Sequence, residues 1–204
     1  MSRLGRPTAA DAQATRLRIL DAARRLFASR GFDGVSNRAL ADEVGLTTGA
    51  LYHYFDRKLD LYVAVYAETQ RFVFERMSAP IGESSTFIDA LRGVLEVAHD
   101  LNNEDPSLAQ FLGSCRVDAQ RDDELRRAIL KVGNVQQEAF FDGLVGLGLR
   151  TGEIDVASSE SISTLLRTVT IGLVDAVSGS RKRHRQAVDA IVSLFEGKLV
   201  RPPA

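Results

Sequence analysis

Between Thr47 and Lys58 the chain reads TTGALYHYFDRK, which gathers threonine hydroxyls, phenols, an imidazole and two cations into twelve residues. These are hydrogen-bonding groups of the kind that serve base edges and phosphates. Thr48 offers a hydroxyl and a methyl, suited to a base edge or a thymine methyl. Gly49 has no side chain and lets backbone approach a duplex closely. Tyr52 and His53, one turn further on, are placed to donate to phosphates, and Lys58 adds a positive charge.

Such groups act together only if two short helices hold them. The apolar residues Leu40, Val44, Leu46, Leu51 and Tyr54 surround Gly45. Leu40 and Val44 share one helical face, and Leu51 and Tyr54 share another. Each segment is shorter than the dozen or so residues an isolated helix needs, so the pair must be held by packing. Ser36 is placed to cap the first segment and Thr47 the second, while Gly45 permits a sharp turn with positive φ. The spacing predicts a helix-turn-helix, whose second member can project its outer face into a major groove.

The flanking pattern is helical throughout. ATRLRILDAARRLFASRGF places Leu17, Leu20, Ala23 and Phe27 on one stripe with Ile19 and Leu26 beside it, leaves Arg24, Arg25 and Arg30 outside, and stops at Gly31. Asp56 is expected to cap a fourth, long helix running to Met77. Pro80 to Ser85, PIGESS, reads as a break. Beyond it, helices are predicted over 86–101, 107–119, 124–149, 159–177 and 183–199. No segment alternates with the period of a strand, and there is no internal repeat. The expectation is an all-α chain of about nine helices: an N-terminal three-helix helix-turn-helix domain over 1–60, and a helical domain over 61–204.

Composition bounds the alternatives. The 204 residues are 45% apolar and 26% charged, ordinary for a folded chain, and no apolar run approaches a membrane span. The N-terminus has basic residues without an apolar stretch, so it is not a secretory signal, and the expected location is the cytoplasm. A single cysteine, Cys115, excludes an internal disulfide framework. Net charge is −1 overall, but +3 within residues 1–60 and −4 in the remainder. The basic excess therefore lies with the short helices, as a nucleic-acid footprint or a solvated face would place it. The three histidines, His53, His99 and His184, lack metal-ligand spacing, and GLVGLGLRTG lacks the lysine of a phosphate loop, so no metal and no cofactor is expected.

VSNRALADEVGLTTGALYHYFDRKLDLY, preceded by ILDAARRLFASRGFDG, resembles the DNA-binding region of the TetR family of transcriptional regulators. Gly45, Thr47, Gly49, Leu51, Tyr52, Phe55 and Lys58 match the family pattern, while Tyr54 stands where histidine is frequent and Ala50 where threonine is common. The resemblance covers roughly residues 10–65. It implies contacts to double-stranded DNA from Asn37 and Arg38 on the second helix and from Thr48, Gly49 and His53 on the third, with phosphate contacts from Thr47, Tyr52 and Lys58. Arg3 and Arg6 would form a basic arm of the kind that reaches a minor groove.

The resemblance also implies roles for the larger domain. Phe72, Met77, Phe87, Leu91, Leu95, Phe111, Cys115, Phe140 and Phe141 recur at helical spacing and read as core; in the family this region surrounds a pocket for a small-molecule effector, with His99 and Thr168 as candidate polar anchors. The last two helices carry apolar stripes, Leu165, Val169, Gly172 and Ala176 on one and Val188, Ile191, Val192 and Phe195 on the other. Such stripes pack inside a domain or, as the family suggests, form a homodimer interface, which would pair two helix-turn-helix units on a palindromic operator. The expected function is a dimeric regulator, a repressor released from DNA by its effector. Two alternatives stand beside it: a DNA-binding regulator or architectural protein without an effector, and a helical-bundle enzyme using His99 and Cys115.

Overall fold

In a computed structural model, which describes residues 9–177 and 180–199, the chain is helical along nearly its whole length. Ten α-helices are formed among the described residues: α1 (Ala9–Arg30), α2 (Asn37–Val44), α3 (Thr48–Tyr52), α4 (Lys58–Glu83), α5 (Phe87–Glu104), α6 (Ser107–Arg121), α7 (Asp123–Val132), α8 (Val135–Thr151), α9 (Ser159–Val177) and α10 (Arg181–Phe195), with a 3-10 turn at Val156–Ser158. Among the described residues no helix is long and apolar enough to cross a membrane. Arg3 and Arg6 lie outside the described residues.

Two compact units result. One comprises residues up to Glu68 together with Ser114–Val132, the other Thr69–Gly113 together with residues from Gly133 onward. In the first, Ile19, Leu20, Ala23, Leu26 and Phe27 of α1 are buried, as are Val35, Leu40, Ala41, Leu51 and Tyr62. Phe27, Phe32 and Tyr62 form an aromatic triangle, with Phe27 and Phe32 each edge-on to Tyr62 at 4.7 and 5.1 Å between centroids. The burial of Phe27 alone is worth about 1.5–3 kcal/mol. Leu17 departs from the expected stripe and is 42% exposed, whereas Arg24, expected outside it, is buried beside an ion pair to Asp21 at 2.6 Å. The buried stripe is centred one residue off the expected one, and the long arginine stem lies along it while its charge is neutralised.

The second unit is built on α5, α8, α9, α10 and the C-terminal part of α4. α5 and α10 run antiparallel: Phe87 meets Phe195 at one end, His99 meets His184 further along, and the Arg181 guanidinium donates to the Asn103 carbonyl at the other end. Leu91, Leu95, Phe140, Phe141, Val188 and Val192 fill the core between them and α8.

Three boundaries differ from expectation, each for a local reason. The helix through Pro80 continues to Glu83 although proline removes one intrahelical donor, the ring packing against α5 where Gly93 leaves room; a Cβ at Gly93 would lie 2.7 Å from that of Pro80. The single helix expected over 124–149 is two, α7 and α8, because Gly133 adopts φ +73, which a helix cannot continue through. The residue before α4 is Arg57, whose carbonyl accepts from the Leu61 N–H, so Asp56 stands outside the cap position expected for it.

Candidate nucleic-acid interface

Short-range rules set the angle between α2 and α3. The Ser36 side chain accepts from the Ala39 N–H at 3.1 Å and the Thr47 side chain from the Ala50 N–H at 3.2 Å, so each helix starts on its own cap. Gly45, at φ 68, ends α2 by donating back to Ala41 and Asp42. This is the left-handed stop the turn requires. Leu40, Ala41 and Leu51 then face inward. On the opposite side Arg38, Thr47, Thr48, Gly49, Tyr52 and His53 are exposed, and Asn37 is half-buried.

The Asn37 side-chain amide donates to the Tyr52 hydroxyl, tying the start of α2 to the end of α3. That bond uses the phenol oxygen as acceptor and leaves its proton free to donate outward. Gly49 is informative by elimination. It does not have positive φ, and a Cβ there would meet nothing within 4 Å. Neither backbone angle nor packing in this chain asks for glycine at that position. Lys58 is half-buried, with its ammonium on the carbonyls of Phe32 at 2.9 Å and Val35 at 3.1 Å and 4.2 Å above the Phe32 ring. Two of its three donors thus hold the turn between α1 and α2, and one remains.

The same turn is also held by a residue that sequence reasoning missed. The Asp118 carboxylate, on α6, accepts from the Phe32 N–H and from the Tyr62 hydroxyl, both at 2.8 Å. Burial pushes the Tyr62 phenol far above its usual range, and the Cys115 and Asp118 side chains push it further the same way. Asp118 follows Phe32 by 86 positions. The one local signal is that it continues the stripe Phe111, Cys115 as an acidic residue on an otherwise apolar face. Cys115 is 2% exposed, and burial above all pushes its thiol up to about 12. It is therefore a poor nucleophile at neutral pH. It also belongs to a different unit from His99, whose ring bonds that of His184.

The second unit gathers most of the expected pocket residues. Met77, Phe87, Leu91, Leu95, His99, Phe111, Phe140 and Phe141 are buried. Phe72, at 38% exposed, and Thr168, whose hydroxyl bonds the Thr164 carbonyl, stand on the surface, and Cys115 lies in the other unit. Of the expected interface residues, Val188 and Val192 are buried in the core, and Val169, Ile191 and Phe195 pack partly against it. Leu165 and Gly172 are exposed. The side chain of Ala176 lies outside those described.

Residues 19–65 match the family model described as bacterial regulatory proteins, tetR family. The chain is 34% identical over 91 residues to the HTH-type transcriptional regulator UidR of Escherichia coli K12, a match covering 44% of this chain and 46% of that one. It is 34% identical over 82 residues to the HTH-type transcriptional repressor AcnR of Corynebacterium glutamicum, covering 40% and 41%. The chain thus spans about half the length of the curated relatives it matches. Both are named for transcriptional regulation, which is not an enzymatic activity. The fold is shared over 90% of this chain and 99% of the transcriptional regulator FadR from Bacillus subtilis, solved in complex with stearoyl-CoA, with a TM-score of 0.76 at 21% identity. The matched segment runs from within α1 through α2 and α3 into α4, so this part of the chain is similar to bacterial regulatory proteins of the tetR family, and the all-helical fold is shared beyond it.

Proposed function

We propose that this protein is a cytoplasmic, homodimeric, DNA-binding repressor that leaves a palindromic operator when a small molecule binds its second unit. The observation that carries the reading is the outward face of α3, where Gly49 has no internal reason to be glycine and Tyr52 is held by Asn37 with its proton free. A duplex backbone pressed against α3 explains both. Residues 1–60 supply the contacts: Asn37, Arg38, Thr48, Gly49 and His53 toward the groove, and Thr47, Tyr52 and the remaining Lys58 donor toward phosphates.

A single helix-turn-helix reads one half-site, so a two-fold partner is needed, with recognition helices about 34 Å apart on B-DNA. An uncharged, partly apolar stripe on α9, comprising Ser161, Thr164, Leu165, Thr168, Ile171 and Gly172, is exposed and suits that role better than Val188 and Val192, which the core already uses. An effector releases DNA by favouring a dimer whose recognition helices no longer match the spacing.

Fluorescence anisotropy on the DNA upstream of the protein's own coding region tests the reading. A dimer-sized complex should form, weaken steeply with salt, and lose sequence preference with Thr48→Ala. A monomer indifferent to salt would refute it.

A further inference from the structure

We propose that His99, His184 and Asn102 form a recognition site for an uncharged group that both donates and accepts hydrogen bonds, a hydroxyl or an amide, on an otherwise apolar small molecule. The proposal rests on the reading of the second unit as effector-binding and names the chemistry of that effector.

Asn102 is 4% exposed, and neither its amide nitrogen nor its carbonyl oxygen has a hydrogen-bond partner among the described residues. It lies on α5 three residues after His99, on the same helical face. His99, 8% exposed, meets His184, 3% exposed, with their Nδ1 atoms 3.1 Å apart. One turn along each helix the packing becomes apolar, with Leu95 on α5 and Val188 on α10 both in the core. A polar layer thus closes one end of an apolar one.

The donor count argues for a neutral ligand group. In a hydrogen-bonded pair of neutral imidazoles one ring donates through Nδ1–H, so its Nε2 is a bare acceptor; the other ring accepts at Nδ1, so its proton sits on Nε2. The pair therefore offers one donor and one acceptor, and Asn102 offers both again. A hydroxyl or amide satisfies such a set, whereas a carboxylate or phosphate, which only accepts, leaves the acceptors unmet. The cations of this part of α10 do not offer an anion a buried partner either. Arg185 is paired with Glu96 at 2.6 Å, and Arg181, Lys182 and Arg183 are exposed on the surface. Burial first, then His99 and Arg185, lower the basicity of His184, which favours its uncharged form. The negative groups of α5 nearby, Glu96 and Asp100, lie toward Arg185.

Calorimetric titration of the full chain with decan-1-ol, decanamide, decanoate and decylammonium, and with 4-phenylbenzamide against 4-phenylbenzoate, tests this. At least one uncharged probe should bind, and at least tenfold more tightly than its charged counterpart. Asn102→Leu should weaken that probe tenfold or more while leaving thermal stability equal or higher, because a buried amide without a partner is removed. Asn102→Asp, nearly isosteric, should weaken it as well should the leucine variant fold poorly. Preference for decanoate, no binding by any uncharged probe, or unchanged binding in both variants would overturn the proposal; so would a leucine variant that is less stable with probe binding intact, the mark of a structural amide. A probe that binds as expected but fails to release operator DNA in the anisotropy assay leaves the site standing and removes the effector reading instead.

Discussion

Tyr62 in the first unit and Asn102 in the second are both buried polar side chains, at 0% and 4% exposed, yet they are treated in opposite ways. The Tyr62 hydroxyl donates to Asp118, which also holds the Phe32 N–H, so the turn leading into α2 is held through that N–H by Asp118 and through its carbonyls by Lys58. Asn102 has no such partner among the described residues. A satisfied buried network rigidifies, and an unsatisfied buried amide costs about 1–3 kcal/mol. The first unit uses its buried polar groups to fix the orientation of an outward face. The second retains a buried amide that is costly until something else meets it, as the proposed recognition site requires.

The comparison can be broken at several strengths. Phe27→Ala, at a side chain that is 0% exposed and edge-on to Tyr62, should cost about 3–5 kcal/mol in chemical denaturation and take DNA binding with it. Asp118→Ala strips the acceptor from a buried hydroxyl and a backbone N–H, and should cost about 2–4 kcal/mol, with Asp118→Asn recovering part of it. Should Asp118→Ala leave both stability and operator affinity intact, the clamp is not what holds the turn.

Tyr52→Phe removes both the bond from Asn37 and the outward proton, so operator affinity should fall roughly tenfold on every sequence tested, with little change in melting temperature. Lys58→Ala should weaken binding similarly but also lower stability, because its ammonium holds two carbonyls of the turn.

The second unit makes a gentler prediction with pH. His184 is held below its usual pKa, by burial first and then by His99 and Arg185. The unfolded chain therefore takes up the proton first as pH falls through about 6.5, so stability should be flat above that value, decline below it, and level off once pH passes the lowered native value. Melting curves between pH 8 and 5 should show the slope, and His184→Phe should reduce it. The smallest effect is expected at the exposed Arg57–Glu124 pair, where Glu124→Ala should leave the melting temperature unchanged.

How much of this was legible beforehand follows from the range of the interactions involved. The caps at Ser36 and Thr47, the stop at Gly45, the inward Leu40 and Leu51 and the all-helical class depend on residues three or four apart, and periodicity and turn chemistry report them directly. The same rules misplaced Leu17 and Arg24 by one residue of helical phase and ran α7 and α8 together across Gly133, because a break of one residue barely perturbs an apolar period.

What only the tertiary structure decided are the pairings across long stretches of chain: Asp118 with Phe32 and Tyr62, His99 with His184, and Val188 and Val192 with the core rather than with an exposed stripe. Helical periodicity says which face of an element is buried but not against which partner, since any apolar stripe complements any other. Packing of whole elements makes that choice, and with it decides which buried polar groups find a partner in the chain and which do not.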